Sequence, residues 1–180
     1  MADLALSFDV FTYEDYKSWP ESVRCELIDG VVYMMSAPSL WHQLVSTKLG
    51  RQLDEFFEGK SCTAFGTPID VRLFPKSDNS DDVIVQPDLA VVCDDKKLSD
   101  GQACKGPPDL VIEILSQATK SKDLSQKFNL YQKAGVREYW IVGSDGVKAH
   151  TFETGETRGI DFKLDRELES LIFPGLVLKF

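Results

Sequence analysis

The fold is decided by the stretch Leu110-Val111-Ile112-Glu113-Ile114-Leu115, which is apolar, rich in β-branched residues and about as long as one strand. Such a run is typical of a strand that is buried on both faces of a sheet. Glu113 is the exception in it, because burying an ionised carboxylate without a partner is costly. Glu113 is therefore either paired in a salt bridge, exposed to solvent at the end of the strand, or held in place for chemistry.

A second acid, Asp88, begins the strand-like stretch 88–93 upstream. Pro87 cannot donate a hydrogen bond to a neighbouring strand, so it marks either the start of this strand or a sheet edge. Alone, Asp88 would be an ordinary acid at the beginning of a strand. Beside Glu113 it would supply a second carboxylate to a hard cation, since Mg²⁺ typically binds one or two carboxylates together with waters and phosphate oxygens.

Patterns on either side of these two strands predict further helices and strands. The Asp29-Gly30 pair predicts a tight turn joining strands 24–28 and 31–35 into a hairpin. Ser39 is expected to begin a long helix that runs to about Glu58. The remaining predicted elements are a short helix at 12–19, strands at 69–74, 138–142 and 147–152, polar loops at 76–82 (mobile) and 94–106, a helix at 120–134 ended by Gly135, and short strands between 168 and 180.

The order of these elements predicts the fold class. Strand 109–115, helix 120–134 and strand 138–142 form a crossover, which indicates a sheet that is at least partly parallel. We therefore predict an α/β (α+β) protein with a mixed β-sheet flanked by helices. A length of 180 residues fits a single domain over residues 1–180.

The composition of the chain predicts a soluble protein of the cytoplasm. No apolar run approaches the ~20 residues of a membrane span, and the N-terminus lacks the basic start of a secretory signal. The four cysteines (Cys25, Cys62, Cys93 and Cys104) contain no C-x-x-C pair, which argues against a zinc site. In this compartment we expect them to be reduced, mostly buried thiols without disulfides.

The net charge of −9 restricts how the protein can bind nucleic acid. Proteins that hold the phosphate backbone tightly usually carry a basic surface. Binding here would need a locally basic groove, a divalent metal or a partner. The sequence also lacks a phosphate-binding P-loop, a dinucleotide-binding glycine motif and a G-x-S-x-G nucleophile elbow.

The two acids, with their neighbouring residues, resemble a known nuclease pattern. Pro87-Asp88 followed by Glu113 on the next central strand resembles the motif of the PD-(D/E)XK nuclease superfamily. The surrounding sequence is similar to one family within it, the Uma family of restriction-endonuclease-like proteins. The likeness runs from about Tyr13 to the C-terminus. It rests on Glu26-Leu27-Ile28-Asp29-Gly30, His42, Gln86-Pro87-Asp88-Leu89, the stretch from Pro108 to Ser116, Asp123 with Lys127, and Gly135-Val136-Arg137-Glu138-Tyr139-Trp140.

One position departs from the superfamily pattern, which has a lysine two residues after the second acid. This sequence has Leu115 there. Lys127 lies beside the stripe of the following helix that we expect to face inward (Leu124, Phe128 and Tyr131), so its ammonium could reach back toward Glu113. The alternative is a lysine whose stem packs on the core while its ammonium stays in water.

Three further residues are candidates with two interpretations each. Glu26 resembles the additional acid of the family and is otherwise a surface acid of the hairpin. His42 points inward from the long helix, either as a hydrogen-bonded core histidine or as a contact to the metal site or a substrate phosphate. Asp109 shares a strand face with Glu113 and would either support the cluster or merely begin the strand.

The resemblance implies a metal-dependent endonuclease that hydrolyses DNA phosphodiester bonds. Asp88 and Glu113 would bind Mg²⁺ or Mn²⁺, Glu26 would assist, and Lys127 would act on the attacking water or on the developing charge. A homodimer is expected, because enzymes that cut both strands commonly pair two sites by two-fold symmetry. A nuclease-fold protein that binds without cutting, or a hydrolase of small phosphoesters, fits the same residues.

Overall fold

The computed structural model describes residues 9–20, 22–115, 122–152, 158–162 and 167–180. Three α-helices are present in these parts of the chain: α1 (Tyr13–Tyr16), α2 (Leu40–Phe57) and α3 (Phe128–Ala134). A π-helical turn, Lys122–Lys127, leads directly into α3, and a 3₁₀ turn covers Asp95–Leu98.

The described strands form two mixed sheets and one small antiparallel pair. The first sheet has five strands, β1 (Cys25–Ile28), β2 (Val31–Met34), β4 (Val71–Arg72), β5 (Ile84–Val85) and β7 (Cys104–Lys105), in the order β2-β1-β5-β4-β7. The second has six, β3 (Thr63–Gly66), β6 (Leu89–Val92), β8 (Leu110–Ile114), β9 (Glu138–Gly143), β10 (Gly146–Thr151) and β11 (Arg158–Phe162), in the order β11-β10-β9-β8-β6-β3. Strands β12 (Glu167–Glu169) and β13 (Val177–Lys179) pair near the C-terminus.

Strand β8 lies in the middle of the six-stranded sheet, as its apolar sequence predicts. It pairs in parallel with β9, with Leu110 opposite Glu138, and antiparallel with β6, with Leu89 opposite Ile112. All five of its residues are buried. The predicted mixed, partly parallel sheet flanked by helices is therefore confirmed.

The hairpin and the long helix are also confirmed. Asp29 and Gly30 both have positive φ, 51° and 75°, which is the conformation that a tight primed turn between β1 and β2 requires. The Ser39 side chain accepts a hydrogen bond from the backbone N–H of His42 at 3.2 Å and caps the first turn of α2. The inner face of α2 (Leu49, Leu53 and Phe57) packs against the apolar residues of β8 that point away from Glu113.

The opposite face of β8 contributes to a second core. Val111 packs there with Tyr131 of α3 and with residues of the five-stranded sheet such as Val71 and Val85. Glu113 has the same strand parity as Val111, so its side chain enters the space between the two sheets. The fold therefore places this carboxylate at an internal junction rather than on the outer surface.

Two predicted loops contain more structure than their polar sequences indicate. Segment 94–106 includes the 3₁₀ turn and β7. In segment 76–82, Asp81 is fully buried because both of its oxygens accept hydrogen bonds from Arg72, which is also buried. Strands β3, β5, β7 and β11 were not predicted, since β5 and β7 are only two residues long and none of the four has a marked apolar alternation.

The expectation of four free thiols is wrong. Cys62 and Cys93 form a disulfide, while Cys25 and Cys104 are free and buried. The physical reason is strand register: β3 pairs with β6 so that Thr63 lies opposite Val92, and the next pair outward is Cys62 and Cys93, with their Cα atoms 4.0 Å apart. No short-range sequence pattern reveals such a cross-strand pair.

No helix among the described residues combines the length and apolar character needed to cross a membrane.

Candidate active site

The candidate site lies where the chain crosses from one sheet to the other. Strand β5 belongs to the five-stranded sheet and β6 to the six-stranded sheet, and only Gln86, Pro87 and Asp88 separate them. Continuing the pairing of β6 with β8 by one residue sets Asp88 opposite Glu113. The Asp88 side chain accepts a hydrogen bond from Ile114 N–H through Oδ2 at 2.7 Å, which fixes it against the strand that carries Glu113.

A buried lysine connects two carboxylates at this crossing. Lys127 Nζ lies 2.7 Å from Glu113 Oε1 and 2.7 Å from Glu26 Oε1, and all three side chains are about 4% exposed or less. Glu26 is held from the other side by the N–H of Gln86, at 3.0 Å. The hairpin, the crossing segment, β8 and the helix after it therefore meet at one charged cluster.

The helix geometry explains how Lys127 reaches Glu113. Lys127 ends the π-helical turn and Tyr131 follows four residues later in α3, so both side chains project from one face of the helix. The Tyr131 hydroxyl donates to Glu113 Oε1 at 2.7 Å. Burial, and then the charge of Glu113, raise the pKa of Tyr131 well above its ordinary value, so this hydroxyl stays protonated as a donor.

His42 reaches the cluster through Asp88. Its Nε2 atom lies 3.0 Å from Asp88 Oδ2, and the residue is 9% exposed. The sequence left open whether this histidine is a satisfied core residue or a contact of the site. The structure makes it both, since it is nearly buried at the start of α2 and bonded to a site carboxylate.

Asp109 is not brought to the cluster, which favours the second of its two interpretations, an acid that begins the strand. Its Oδ2 accepts from Cys93 N–H at 2.9 Å, and its Oδ1 lies 3.3 Å from Arg137 Nη1. Asp109 lies four positions before Glu113, which is about 13 Å along an extended strand. Its contacts tie β6 and the beginning of β9 to the start of β8, at the end remote from Glu113.

Tyr131 is a site residue that the sequence interpretation assigned to the core. It is fully buried, as predicted for the inward stripe of the helix, yet its hydroxyl donates a hydrogen bond to Glu113. The signal that would have identified it is its position four residues after Lys127, which puts both on one helix face. The two backbone donors, Gln86 N and Ile114 N, depend on strand register and have no signal in the sequence.

The donor set at this cluster fits a hard divalent cation. Carboxylate oxygens are the ligands that Mg²⁺ and Mn²⁺ prefer, and both side-chain contacts that Asp88 makes to described residues involve Oδ2 rather than Oδ1. Counting only described residues, three carboxylates (Glu26, Asp88 and Glu113) meet one lysine ammonium here, so negative charge exceeds positive charge. Within the described parts of the chain no three His, Cys, Asp or Glu side chains form a ready-made cage. The residues that could hold such a cation are Asp88 and Glu113, which the strand register sets opposite each other.

Comparison with known proteins identifies the family. The model of the Uma2 family, described as "Putative restriction endonuclease", matches residues 13–180. The chain belongs to the Uma2 family. This result confirms the resemblance that the acids at the crossing and the surrounding sequence indicate.

Two further proteins are similar to this chain. An uncharacterised Synechocystis protein is 26% identical to this Uma2 protein over 168 residues, which cover 90% of this chain and 85% of the relative. A crystal structure from Anabaena variabilis, titled as a "putative nuclease belonging to DUF820", aligns with a TM-score of 0.69 at 19% identity and covers 89% of both chains. At this identity the second match shows a shared fold.

Proposed function

We propose that this Uma2 protein is a divalent-metal-dependent endonuclease that hydrolyses DNA phosphodiester bonds at the Asp88–Glu113 cluster. The observation that carries the proposal is the convergence of two opposed strand carboxylates, a third carboxylate and one buried ammonium at a single crossing between sheets. Family membership supports the reaction class. The homodimer and the cytoplasmic location remain predictions, and light scattering of the purified chain tests the first.

Each residue has a defined task in this proposal. Asp88 and Glu113 would hold the cation, which supplies a water of lowered pKa and offsets charge on the phosphate in the transition state. Ile114 N–H and His42 fix the Asp88 carboxylate, and Tyr131 fixes that of Glu113. Lys127 positions its ammonium to orient the attacking water or to stabilise the developing negative charge. Glu26 keeps this ammonium in place from the opposite side.

The Lys127 position supports its role as the substitute for the lysine that is missing at Leu115. Leu115 is half-buried and packs with the apolar core between the sheets, where it makes no charged contribution. Lys127 instead comes from the next helix, yet its Nζ contacts the same carboxylate that the pattern lysine would neighbour. The ammonium is thus supplied by a different element of the fold.

A second candidate function is a nuclease-fold protein that binds DNA without cutting it. The observation that favours it is the close contact of Lys127 with both Glu26 and Glu113, which gives the two carboxylates a cationic partner without any metal. The net charge of −9 also disfavours tight binding of a duplex. The two functions differ in one measurable property, metal-dependent nicking.

A nicking assay with matched variants tests the proposal. Supercoiled plasmid is incubated with the protein and Mg²⁺ or Mn²⁺, with and without EDTA, while calorimetry measures metal binding. Losing a metal-binding carboxylate removes several kcal/mol of transition-state stabilisation, so we expect Asp88→Asn and Glu113→Gln each to nick at least about 100-fold more slowly. Asp95→Asn, an exposed acid of the 3₁₀ turn, is the control and retains full rate.

Two outcomes would contradict the proposal. Nicking that persists unchanged in Asp88→Asn and Glu113→Gln would assign the activity to a contaminant or to another site. Metal binding by the wild-type protein without nicking would favour the binding function.

A further inference from the structure

A cavity of about 950 Å³ lies beside the carboxylate cluster and is not used by the proposed reaction. Gln86 joins the two regions, because its side chain lines the cavity while its backbone N–H donates to Glu26 Oε1. Arg24 also lines the cavity and precedes Glu26 by two residues, so its side chain leaves the same strand face about 7 Å away. Anything bound in the cavity would be a neighbour of the cluster.

The polar wall of the cavity contains a buried acceptor without a partner. Gln86 Nε2 donates to Asp70 Oδ1 at 2.8 Å and to the Tyr16 hydroxyl at 3.1 Å, and the same hydroxyl donates to Asp70 Oδ1 at 2.8 Å. This network fixes the orientation of the Gln86 amide. Its Oε1 atom has no hydrogen-bond partner among the described residues, although Gln86 is only 6% exposed. Such an unpaired acceptor is costly unless a ligand satisfies it.

A buried donor without a partner lies in the same wall. Arg24 Nη2 donates to Thr67 Oγ1 at 3.3 Å, which holds the guanidinium in place. The Nε atom of Arg24 is buried and makes no hydrogen bond to the described part of the chain. One donor and one acceptor are therefore left unpaired beside the neighbouring strands β1 and β5, in residues that both line the cavity.

Four aromatic side chains also line the cavity. Tyr13, Tyr16, Trp19 and Phe65 all line the cavity, and the Tyr16 and Trp19 rings lie 5.6 Å apart at an angle of 52°. Phe11 packs edge-on against Trp19 at 5.4 Å and supports it from behind. Aromatic rings of this kind are surfaces on which nucleobases stack, whatever the base.

We propose, on the basis of the nuclease function proposed above, that this cavity binds one unpaired nucleobase of the DNA strand whose backbone lies at the carboxylate cluster. A nucleobase offers a flat ring for the aromatic wall and both donors and acceptors on its edge for Gln86 and Arg24. The substrate class is therefore DNA with an accessible unpaired nucleotide, either single-stranded or turned out of the duplex.

The charge of the protein agrees with this mode of recognition. Binding through many phosphate contacts requires a basic footprint, and the chain carries a net charge of −9. A pocket for one base supplies affinity that does not depend on neutralising phosphates. Gln86 links this pocket to the cluster, because its backbone N–H donates to Glu26 Oε1.

The test is a binding measurement that does not need catalysis. A labelled single-stranded oligonucleotide of about ten nucleotides is titrated with the full chain in EDTA and low salt, and its fluorescence anisotropy gives Kd. A second strand has the same length but lacks all bases. We expect the base-containing strand to bind more tightly, and Trp19→Ala to weaken it by about 5- to 150-fold. Trp19→Phe, which keeps a stacking surface, retains binding.

Matched controls separate base capture from general damage. Phe180→Ala removes an aromatic ring that packs on the core beneath α2, away from the cavity lining, and it should leave Kd unchanged. Arg24→Met removes the unpaired donor without disturbing the aromatic wall, so it tests the proposal even if Trp19→Ala fails to fold. Circular dichroism melts report folding for every variant.

Several results would overturn the inference without touching the proposed function. These are equal binding of the two strands, equal weakening of both strands by Trp19→Ala, full binding by Arg24→Met, or no binding of single strands at all. Conversely, a protein that binds the base-containing strand as expected but never nicks DNA with metal would refute the endonuclease while leaving the base pocket standing.

Discussion

Two buried glutamates on neighbouring strands of one sheet have opposite surroundings. Glu138 at the start of β9 is fully buried, and its carboxylate accepts hydrogen bonds from Trp140 Nε1, Ser170 Oγ and Leu171 N–H. All of its donors in the described chain are neutral. Glu113 near the end of β8 is 3% exposed and contacts an ammonium that it shares with a second carboxylate.

The difference distinguishes a structural acid from an acid held for chemistry. The Glu138 carboxylate is satisfied by Trp140 of its own strand and by the C-terminal segment that it fastens to the sheet, so its described surroundings leave no place for a ligand. Among the described residues, Glu113 instead shares a single ammonium, that of Lys127, with a second carboxylate. Buried acids without saturating neutral donors are the ones that a cation can stabilise.

The largest expected effect is the loss of the shared ammonium. Lys127→Met leaves Glu26 and Glu113 buried without their common cation, and breaking a buried ion pair in this way costs about 3–5 kcal/mol in the free energy of unfolding. Urea denaturation measures the change. Mn²⁺ should restore more stability to this variant than it adds to the wild type, because an ion that binds only the folded state stabilises it.

Lys148→Met is the control for this variant. Lys148 is half-exposed and pairs loosely with Asp161 at 3.7 Å, so its loss should change stability by less than about 1 kcal/mol. If Lys127→Met proved as stable as the control, the two carboxylates would not depend on the ammonium, and the contrast between Glu113 and Glu138 would fail.

The intermediate effect concerns the structural acid. Glu138→Gln weakens charge-assisted hydrogen bonds to Trp140 and Ser170, and we expect it to lower the free energy of unfolding by about 2 kcal/mol. Nicking per folded molecule should stay at the wild-type rate, whereas Glu113→Gln loses it. A folded Glu138→Gln protein without activity would show that this acid also serves the reaction.

The smallest effect concerns His150, a partly buried residue that has no acid within hydrogen-bonding distance among the described residues. Burial, and then the charge of Lys148, lower the pKa of His150 below its ordinary value of 6.5; Asp161 opposes the shift, and Phe128 packs edge-on against the imidazole at 5.0 Å. Below pH 6.5 the unfolded chain binds the proton first, so the free energy of unfolding falls until the pH passes the folded pKa.

The measurement for His150 is urea denaturation between pH 7.5 and about pH 5. His150→Gln should remove part of the loss below pH 6.5, and the difference between the two proteins isolates this residue from the other titrating groups. Identical pH profiles would show that folding does not lower the pKa of the His150 imidazole.

Much of the site could be predicted from sequence because its acids violate a strong pattern. Glu113 interrupts an apolar strand and Asp88 begins another, while helix geometry left two interpretations of Lys127 and the resemblance to the Uma family favoured the one at the site. Tyr131 and Glu138 could not be assigned in this way. Each fits an ordinary core or strand position, and the partners that define its role come from other elements.

The parts of the fold that escaped prediction depend on long-range pairing. Strands β5 and β7 have two residues each, too short for any periodicity to be visible. Asp81 lies in a polar segment, and only the buried Arg72 explains why it is inside. The same holds for the Cys62–Cys93 disulfide, which follows from the register of β3 against β6.

The crossing at Gln86 also affects the order in which the carboxylate cluster forms during folding. The contact of Lys127 with Glu113 spans 14 positions, that of Asp88 with Ile114 spans 26, and that of Gln86 with Glu26 spans 60. Closing longer loops costs more entropy, so distant pairings tend to form late. The first hairpin should therefore join the cluster last, and recovery of nicking would mark the end of refolding rather than any earlier compact state.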